Sequence, residues 1–195
     1  MTTAVQTHLT VPRRMTLAEF LTLPEGPPNF EFEKGAVVPM ASPTSRHQDV
    51  IFELTRILKD FTRQHTLGYV FMGIDVFLPD EQHVYIPDLG FLSNAKRDHH
   101  SADDGKIHGS PDLVVKVTSS DPDRDRVEKF RVYFDNAVPW YWIVDPDHLA
   151  IEEYRATPEG YVRTASIMSN EEFRPKLFAG LVIKLSELIT ATPAK

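Results

Sequence analysis

The sequence predicts an α/β fold in which a mixed β-sheet is flanked by α-helices and accompanied by an N-terminal hairpin. Three observations predict it. Residues 47–63 carry apolar side chains at helical spacing, residues 69–78 place them at every second position, and residues 112–118 form a β-branched run followed by another helical pattern. Helical and extended segments mixed in this way favour a sheet with helices on both faces.

The N-terminal elements are a short helix and the hairpin. Thr16 followed by Glu19 matches a capping box, which predicts a helix from Thr16 to Leu23. Residues 30–40 form two short extended runs around Glu33-Lys34-Gly35, where the glycine supplies the positive φ that a tight turn needs.

The helix over 47–63 is predicted by an apolar stripe that repeats every three or four residues. Its members are Val50, Ile51, Leu54, Ile57, Leu58 and Phe61. The remaining positions are mostly charged, so one face of this helix is expected to pack on the sheet.

The strands of the sheet follow. Alternation predicts strands over 69–78 and 84–92, the second interrupted by Pro87, and a polar, irregular and mobile loop over 93–110. The run 112–118 is typical of a central buried strand. A helix over 123–136, burying Val127, Phe130, Tyr133 and Phe134, and strands over 140–145, 149–155, 161–167 and 181–185 complete the chain, with a short helix over 186–189.

Length and composition indicate a single globular domain. The chain has 195 residues and no repeats, so we expect one domain over 15–190, with a disordered arm at 1–14 and a tail at 191–195. No apolar stretch approaches the ~20 residues of a membrane helix, and no signal peptide is recognised. Cysteine is absent, which excludes thiol nucleophiles and disulfide scaffolds and makes the cytoplasm the expected compartment.

The charge balance is acidic, with 21 basic and 28 acidic residues and a net charge of −7. This argues against a simple basic clamp on nucleic acid, whose affinity comes from neutralising phosphates. A nuclease remains compatible with it, because such enzymes collect carboxylates around a divalent cation that offsets their charge.

Two groups of histidines are candidates for chemistry. His99 and His100 lie beside Asp98, Asp103 and Asp104, and together they could bind a transition metal, although such a cluster is more often a solvated loop. His47 begins the long helix, where it either packs and caps or takes part in a site.

Two strands carry unusual polar residues. Asp88 follows a proline within an apolar strand, and a buried carboxylate needs a partner or a metal. Lys116 lies in the middle of a valine-rich strand, on the face opposite Leu113, Val115 and Val117. A lysine there is costly unless it is paired or belongs to a site.

These segments, taken in order, resemble the Uma-type family of restriction-endonuclease-like proteins within the PD-(D/E)XK nuclease superfamily. The resemblance covers about residues 15–190 and rests on five segments. They are Phe30-Glu31-Phe32-Glu33-Lys34-Gly35, Pro43-Thr44-Ser45-Arg46-His47-Gln48, Ile86-Pro87-Asp88-Leu89, Pro111-Asp112-Leu113-Val114-Val115-Lys116-Val117, and Lys129 with Tyr133 followed by Val138-Pro139-Trp140-Tyr141-Trp142-Ile143-Val144-Asp145-Pro146.

The resemblance implies metal-dependent hydrolysis of DNA phosphodiester bonds. It makes Asp88 the metal carboxylate, Glu31 a helper acid that also holds the metal, and Lys129 the lysine that stabilises negative charge. Mg²⁺ or Mn²⁺ is the implied cofactor. A homodimer is expected, because a two-fold symmetric pair suits cleavage of both DNA strands. The aromatic run 140–142 is a candidate interface, although a core role is expected for at least one of its two tryptophans.

Lys116 departs from the family pattern, because it stands where the resemblance puts a second metal carboxylate. Asp112 lies on the same face but about 13 Å along the strand, too far to replace it. Either Lys116 acts as a strand-borne catalytic lysine, or cleavage is impaired. The alternative is a catalytically inactive nuclease fold that binds nucleic acid or protein.

Overall fold

A computed structural model describes residues 14–118 and 124–189. The helices are α1 (Leu17–Phe20), α2 (Ser45–Gln64) and α3 (Lys129–Asp135). The strands are β1 (Phe30–Glu33), β2 (Ala36–Pro39), β3 (Gly68–Phe71), β4 (Val76–Phe77), β5 (His83–Tyr85), β6 (Leu89–Ser93), β7 (Ile107–His108), β8 (Leu113–Val117), β9 (Trp140–Asp145), β10 (Ala150–Thr157), β11 (Gly160–Ile167), β12 (Glu172–Phe173) and β13 (Ile183–Lys184). Short helical turns cover Asn94–His99, Arg124–Glu128 and Leu185–Glu187.

The larger sheet has six strands in the spatial order β11-β10-β9-β8-β6-β3. β8 and β9 run parallel, and the other neighbouring pairs are antiparallel. Parallel neighbours need a crossover connection, and the segment that contains α3 provides it. The predicted mixed sheet flanked by helices is therefore confirmed.

The two longer helical segments cover opposite faces of this sheet. Val50 and Leu54 of α2 belong to the same buried cluster as Val115. Tyr133 of α3 belongs to the second cluster, which contains Val114. Because Val114 and Val115 are neighbours in β8 and face opposite sides, the alternation predicted for this strand is confirmed.

The smaller sheet has five short strands in the order β2-β1-β5-β4-β7. Its hairpin β1–β2 is the predicted one, and the turn residues Lys34 and Gly35 have φ of 47° and 86°. The capping box of α1 is also confirmed, since Thr16 and Glu19 bond each other's backbone N–H groups. Phe20 of α1 packs on Phe32 of β1, with ring centroids 5.3 Å apart.

The prediction of one continuous strand over 69–78 and another over 84–92 is wrong, because each segment forms two short strands. Each is divided between the two sheets: β3 and β6 belong to the larger one, whereas β4 and β5 belong to the smaller one. The breaks lie at Gly73, whose φ is 59°, and around Pro87, which has no N–H for a ladder. Alternation identifies extended residues, but it does not show which sheet each half joins.

Two further predictions need correction. The segment 93–110, predicted as an irregular loop, contains a 3₁₀ turn over Asn94–His99 and the strand β7. The predicted helix 123–136 begins, within the described residues, with a π-helical turn over Arg124–Glu128. Val127 is consequently 66% exposed rather than buried, because the wider turn rotates it away from the sheet.

The C-terminal part follows the prediction with shorter elements. β13 and the turn Leu185–Glu187 replace the strand and helix predicted at 181–189. The tail, and all of the predicted arm except Arg14, lie outside the described residues. In the part of the chain that the structure describes, no helix has the length and apolar character needed to cross a bilayer.

Candidate active site

A cavity of about 560 Å³ lies where the hairpin, the N-terminal turn of α2, the strand β8 and the π-helical turn come together. Its wall is largely apolar, formed in part by Pro28, Met40, Ile51, Met72 and Pro87. Seven ionisable side chains also line it: Glu31, His47, Asp88, Lys116, Arg124, Asp125 and Lys129. The structure therefore brings together the four residues to which the sequence analysis gave catalytic or metal-binding roles, which are Glu31, Asp88, Lys116 and Lys129.

Asp88 and Lys116 are opposite each other across two neighbouring strands. The register pairs Leu89 with Val115, so the adjoining residues Asp88 and Lys116 come face to face. The Lys116 ammonium lies 3.3 Å from Oδ1 and 3.1 Å from Oδ2 of Asp88, and the backbone N–H of Val117 donates to Oδ2 at 2.7 Å. Both carboxylate oxygens are thus already engaged.

Glu31 is held by a second set of donors. Lys129 donates to Oε1 at 2.7 Å, and the backbone N–H of Ile86 donates to the same oxygen at 3.1 Å. Arg124 donates to Oε2 at 2.9 Å and bridges to Glu33 on the same strand. Glu31 and Lys129 therefore form a buried ion pair. The resemblance makes the first the helper acid and the second the lysine that stabilises negative charge.

The pKa values of Glu31 and Lys129 are both lowered, although burial acts on the two groups in opposite directions. Burial opposes the ionisation of Glu31, but the charges of Lys129 and Arg124 outweigh it and hold the pKa of this carboxyl below its usual value. Burial lowers the pKa of Lys129, and the nearby cations Lys116 and Arg124 add to this effect against the attraction of Glu31. A lysine with a lowered pKa is common at functional sites.

Asp125 and Arg124 are cavity residues that the sequence analysis did not find. Both lie in the π-helical turn, and Asp125 is 3% exposed. Burial raises the pKa of Asp125, although Lys116 and Lys129 oppose the effect. The signal that was available is the spacing of Asp125 and Lys129, which lie four residues apart and so on one side of a helix.

Lys116 keeps its charge in this setting. Burial opposes that charge, but Asp88 and Asp125 raise the pKa of the ammonium above its usual value. The ammonium is consequently a fixed positive charge beside Asp88.

His47 connects α2 to the strand that carries Lys116. Its Nε2 lies 3.1 Å from the carbonyl oxygen of Val117 and 3.8 Å from Oδ1 of Asp88. A carbonyl oxygen only accepts hydrogen bonds, so Nε2 carries a hydrogen and donates it. Thr44 caps this end of the helix, since its hydroxyl accepts from the backbone N–H of His47. His47 therefore packs and positions Val117, the residue whose N–H binds Asp88.

The carboxylate oxygens of Asp88 and Glu31, as they are arranged, are not free to coordinate a divalent cation. Mg²⁺ prefers several oxygen ligands, but the oxygens of Asp88 face an ammonium, and those of Glu31 face Lys129 and Arg124. In residues 14–118 and 124–189 no group of three or more histidine, aspartate or glutamate side chains is placed to hold a metal ion. The expected metal pair of Asp88 and Glu31 is instead divided between two sets of protein cations.

Two of the histidines in the segment 98–108, His108 and His100, contact other side chains of the protein. His108 bonds Asp104 at 2.8 Å and stacks on Phe77. His100 lies against the ring of Tyr69, with centroids 4.9 Å apart. Within the described residues these side chains do not converge into a metal site, so this alternative gains no support.

Comparison with known proteins identifies a family. The Uma2 family, described as "Putative restriction endonuclease", matches residues 17–186. No curated protein matches the chain.

A solved structure shares the fold. The crystal structure of a putative nuclease belonging to DUF820 from Anabaena variabilis ATCC 29413 superposes with a TM-score of 0.70 at 20% sequence identity. The match covers 89% of this chain and 97% of that one. The two proteins therefore share their arrangement of sheets and helices.

Proposed function

This chain belongs to the Uma2 family of restriction-endonuclease-like proteins, and we propose that it acts on DNA as an endonuclease whose phosphodiester cleavage is impaired. One observation carries the proposal. Asp88, Glu31 and Lys129, the three residues that the resemblance assigns to catalysis, line one cavity, but Lys116 occupies the position of the second metal carboxylate and pairs with Asp88.

The residues of the cavity have complementary roles in this proposal. Lys129 stabilises the negative charge that develops on a phosphate during hydrolysis, and Glu31 orients Lys129 through their 2.7 Å hydrogen bond. Asp88 is the acid that would hold Mg²⁺ or Mn²⁺, the cofactors that the resemblance implies. Since the Lys116 ammonium already neutralises Asp88, we expect such an ion to bind weakly and cleavage to be slow.

A second candidate is a catalytically inactive member of the family that binds nucleic acid or another protein. It is favoured by the engagement of both Asp88 oxygens and both Glu31 oxygens by protein donors. A fold does not by itself guarantee catalysis. Carboxylates that are neutralised by the protein's own cations are compatible with an enzyme that has lost its catalytic activity.

Plasmid cleavage and DNA binding, measured together, separate the candidates. Wild-type protein, Asp88→Asn and Lys129→Ala are incubated with supercoiled DNA and Mg²⁺, Mn²⁺ or EDTA, and DNA binding is followed by fluorescence anisotropy. An impaired endonuclease nicks slowly with metal, and both variants and EDTA abolish nicking. An inactive binding module binds DNA without nicking. A protein that neither binds nor nicks DNA contradicts the DNA-directed function.

The homodimer and the cytoplasmic location stay predictions. The aromatic run proposed as an interface does not serve as one, because Tyr141 and Trp142 are fully buried and Arg155 lies over the half-buried Trp140, 5.7 Å from its ring centre. The argument for a dimer is then the two-fold symmetry of duplex DNA alone. Light scattering at micromolar protein tests it, and a monomer there contradicts it.

A further inference from the structure

We infer that the ammonium of Lys116 is the resident cation of the cavity, so that in this chain the protein itself supplies the positive charge that a divalent metal supplies in the resemblance. The inference deepens the proposed function and rests on it for the identity of the site. It concerns metal binding, which is measured without DNA or cleavage.

The geometry is the first argument. The Lys116 ammonium lies within 3.3 Å of both oxygens of Asp88, and Lys116 and Asp88 are 7% and 8% exposed. A metal ion that used Asp88 would have to displace this ammonium. The displaced lysine would remain in the same buried strand without its partner, and a buried unpaired charge is strongly unfavourable.

The charge balance is the second argument. Among the described residues that line the cavity, three carboxylates (Glu31, Asp88 and Asp125) face three cations (Lys116, Lys129 and Arg124). With all six ionised, the charges of these lining side chains sum to zero, and the Glu33 carboxylate outside the lining is itself bonded by Arg124. The lining therefore carries no excess of two negative charges to balance a divalent ion.

Reversing the charge at position 116 changes this balance by two units. Lys116→Glu leaves the cavity set with four carboxylates and two cations, and the excess of two negative charges equals the charge of one Mg²⁺ or Mn²⁺ ion. It also provides a second carboxylate directly opposite Asp88 across the strand pair. A unit charge at about 4 Å, at an effective dielectric near 20, is worth roughly a thousandfold in a binding constant.

The experiment measures Mn²⁺ binding by calorimetry and by the loss of the free-ion EPR signal, on four proteins and one control variant without DNA. The four proteins are the wild type, Lys116→Glu, Lys116→Met and the double variant Asp88→Asn with Lys116→Glu. Lys59→Glu is the matched control, because Lys59 lies on α2 outside the cavity lining and its substitution changes the total charge equally. Circular dichroism verifies that each variant is folded.

We expect Lys116→Glu to bind one Mn²⁺ ion per chain at least about 100-fold more tightly than the wild type and Lys59→Glu. Lys116→Met, which removes the ammonium without adding a ligand, should bind more weakly than Lys116→Glu. The double variant should lose the gain. Mn²⁺ should also raise the melting temperature of Lys116→Glu and leave that of the wild type unchanged.

A wild type that binds one Mn²⁺ ion as tightly as Lys116→Glu overturns the inference, and so does a gain of binding that survives Asp88→Asn. If Lys116→Glu does not fold, Lys116→Met decides: it must bind Mn²⁺ more tightly than the wild type, and equal binding contradicts the inference. Absence of DNA binding would contradict the proposed function while leaving these metal measurements valid.

Discussion

Asp88 and Lys116 form a buried ion pair across the neighbouring strands β6 and β8, with 3.1 Å between the ammonium and Oδ2. Asp88 directly precedes β6, and Lys116 lies in the interior of β8. Two segments separated by 28 residues along the chain therefore place opposite charges at one point. This pair places a positive charge directly beside the Asp88 carboxylate in the cavity.

Removing one partner of this pair should destabilise the protein strongly. Lys116→Met keeps a long side chain but leaves the buried Asp88 charge unpaired, which costs about 3–5 kcal/mol. Asp88→Asn should cost a similar amount. The variant that combines Asp88→Asn with Lys116→Met should be more stable than the sum of the two single effects implies, by roughly 1–3 kcal/mol. Urea denaturation of the four proteins measures this coupling, and additive effects would show that the two side chains are not paired.

His47 should contribute to stability through one hydrogen bond. His47→Leu removes the donor to the Val117 carbonyl and should cost about 1–3 kcal/mol, because that oxygen is left unpaired in a buried place. His47→Gln retains an N–H that can reach a similar position, so it should lose less than half as much. Equal losses in denaturation experiments would indicate that His47 acts only through packing.

Gly90 should not tolerate a side chain. A Cβ atom at this position would lie 2.1 Å from Cζ of Phe71, its cross-strand partner. Gly90→Ala should therefore cost about 1–3 kcal/mol through overpacking. Adding Phe71→Leu, which shortens the obstructing ring, should recover part of this loss. If the two substitutions are additive in thermal denaturation, the close approach is not the cause.

Glu153 should make stability fall as the pH rises. This carboxyl is fully buried, and burial raises its pKa above the reference value of 4.5, although the Thr164 hydroxyl and the Lys176 amide donate to it. The folded state then binds its proton more readily than the unfolded state. The contribution of Glu153 to the free energy of unfolding consequently decreases from about pH 4.5 up to the raised pKa and is constant above it.

The variant Glu153→Gln tests this dependence, since it cannot titrate. The free energy of unfolding of the wild type, minus that of the variant, should fall in urea titrations as the pH rises from about 4.5 to the raised pKa. A difference that stays constant or rises over this interval would show that the folded protein does not favour the protonated carboxyl.

The sequence predicted only part of the candidate site. Glu31, Asp88, Lys116 and Lys129 lie in short segments that resemble a nuclease family, and they meet in one cavity. Asp125 and Arg124 were missed. The four-residue spacing of Asp125 and Lys129 was the available signal, but periodicity does not indicate the π-helical turn that positions Asp125 and Arg124. The roles of these residues in DNA cleavage stay predictions.

The order of the residues establishes the helix α2, the hairpin β1–β2 and the opposed faces of β8, because periodicity and turn residues are local properties of the chain. It also establishes that a lysine stands where the family pattern has a carboxylate. Local patterns do not show that Gly73 and Pro87 mark the passage between two sheets, nor that Lys116 neutralises Asp88. Those relationships depend on strand register and on contacts between distant segments, which exist only once the chain has packed.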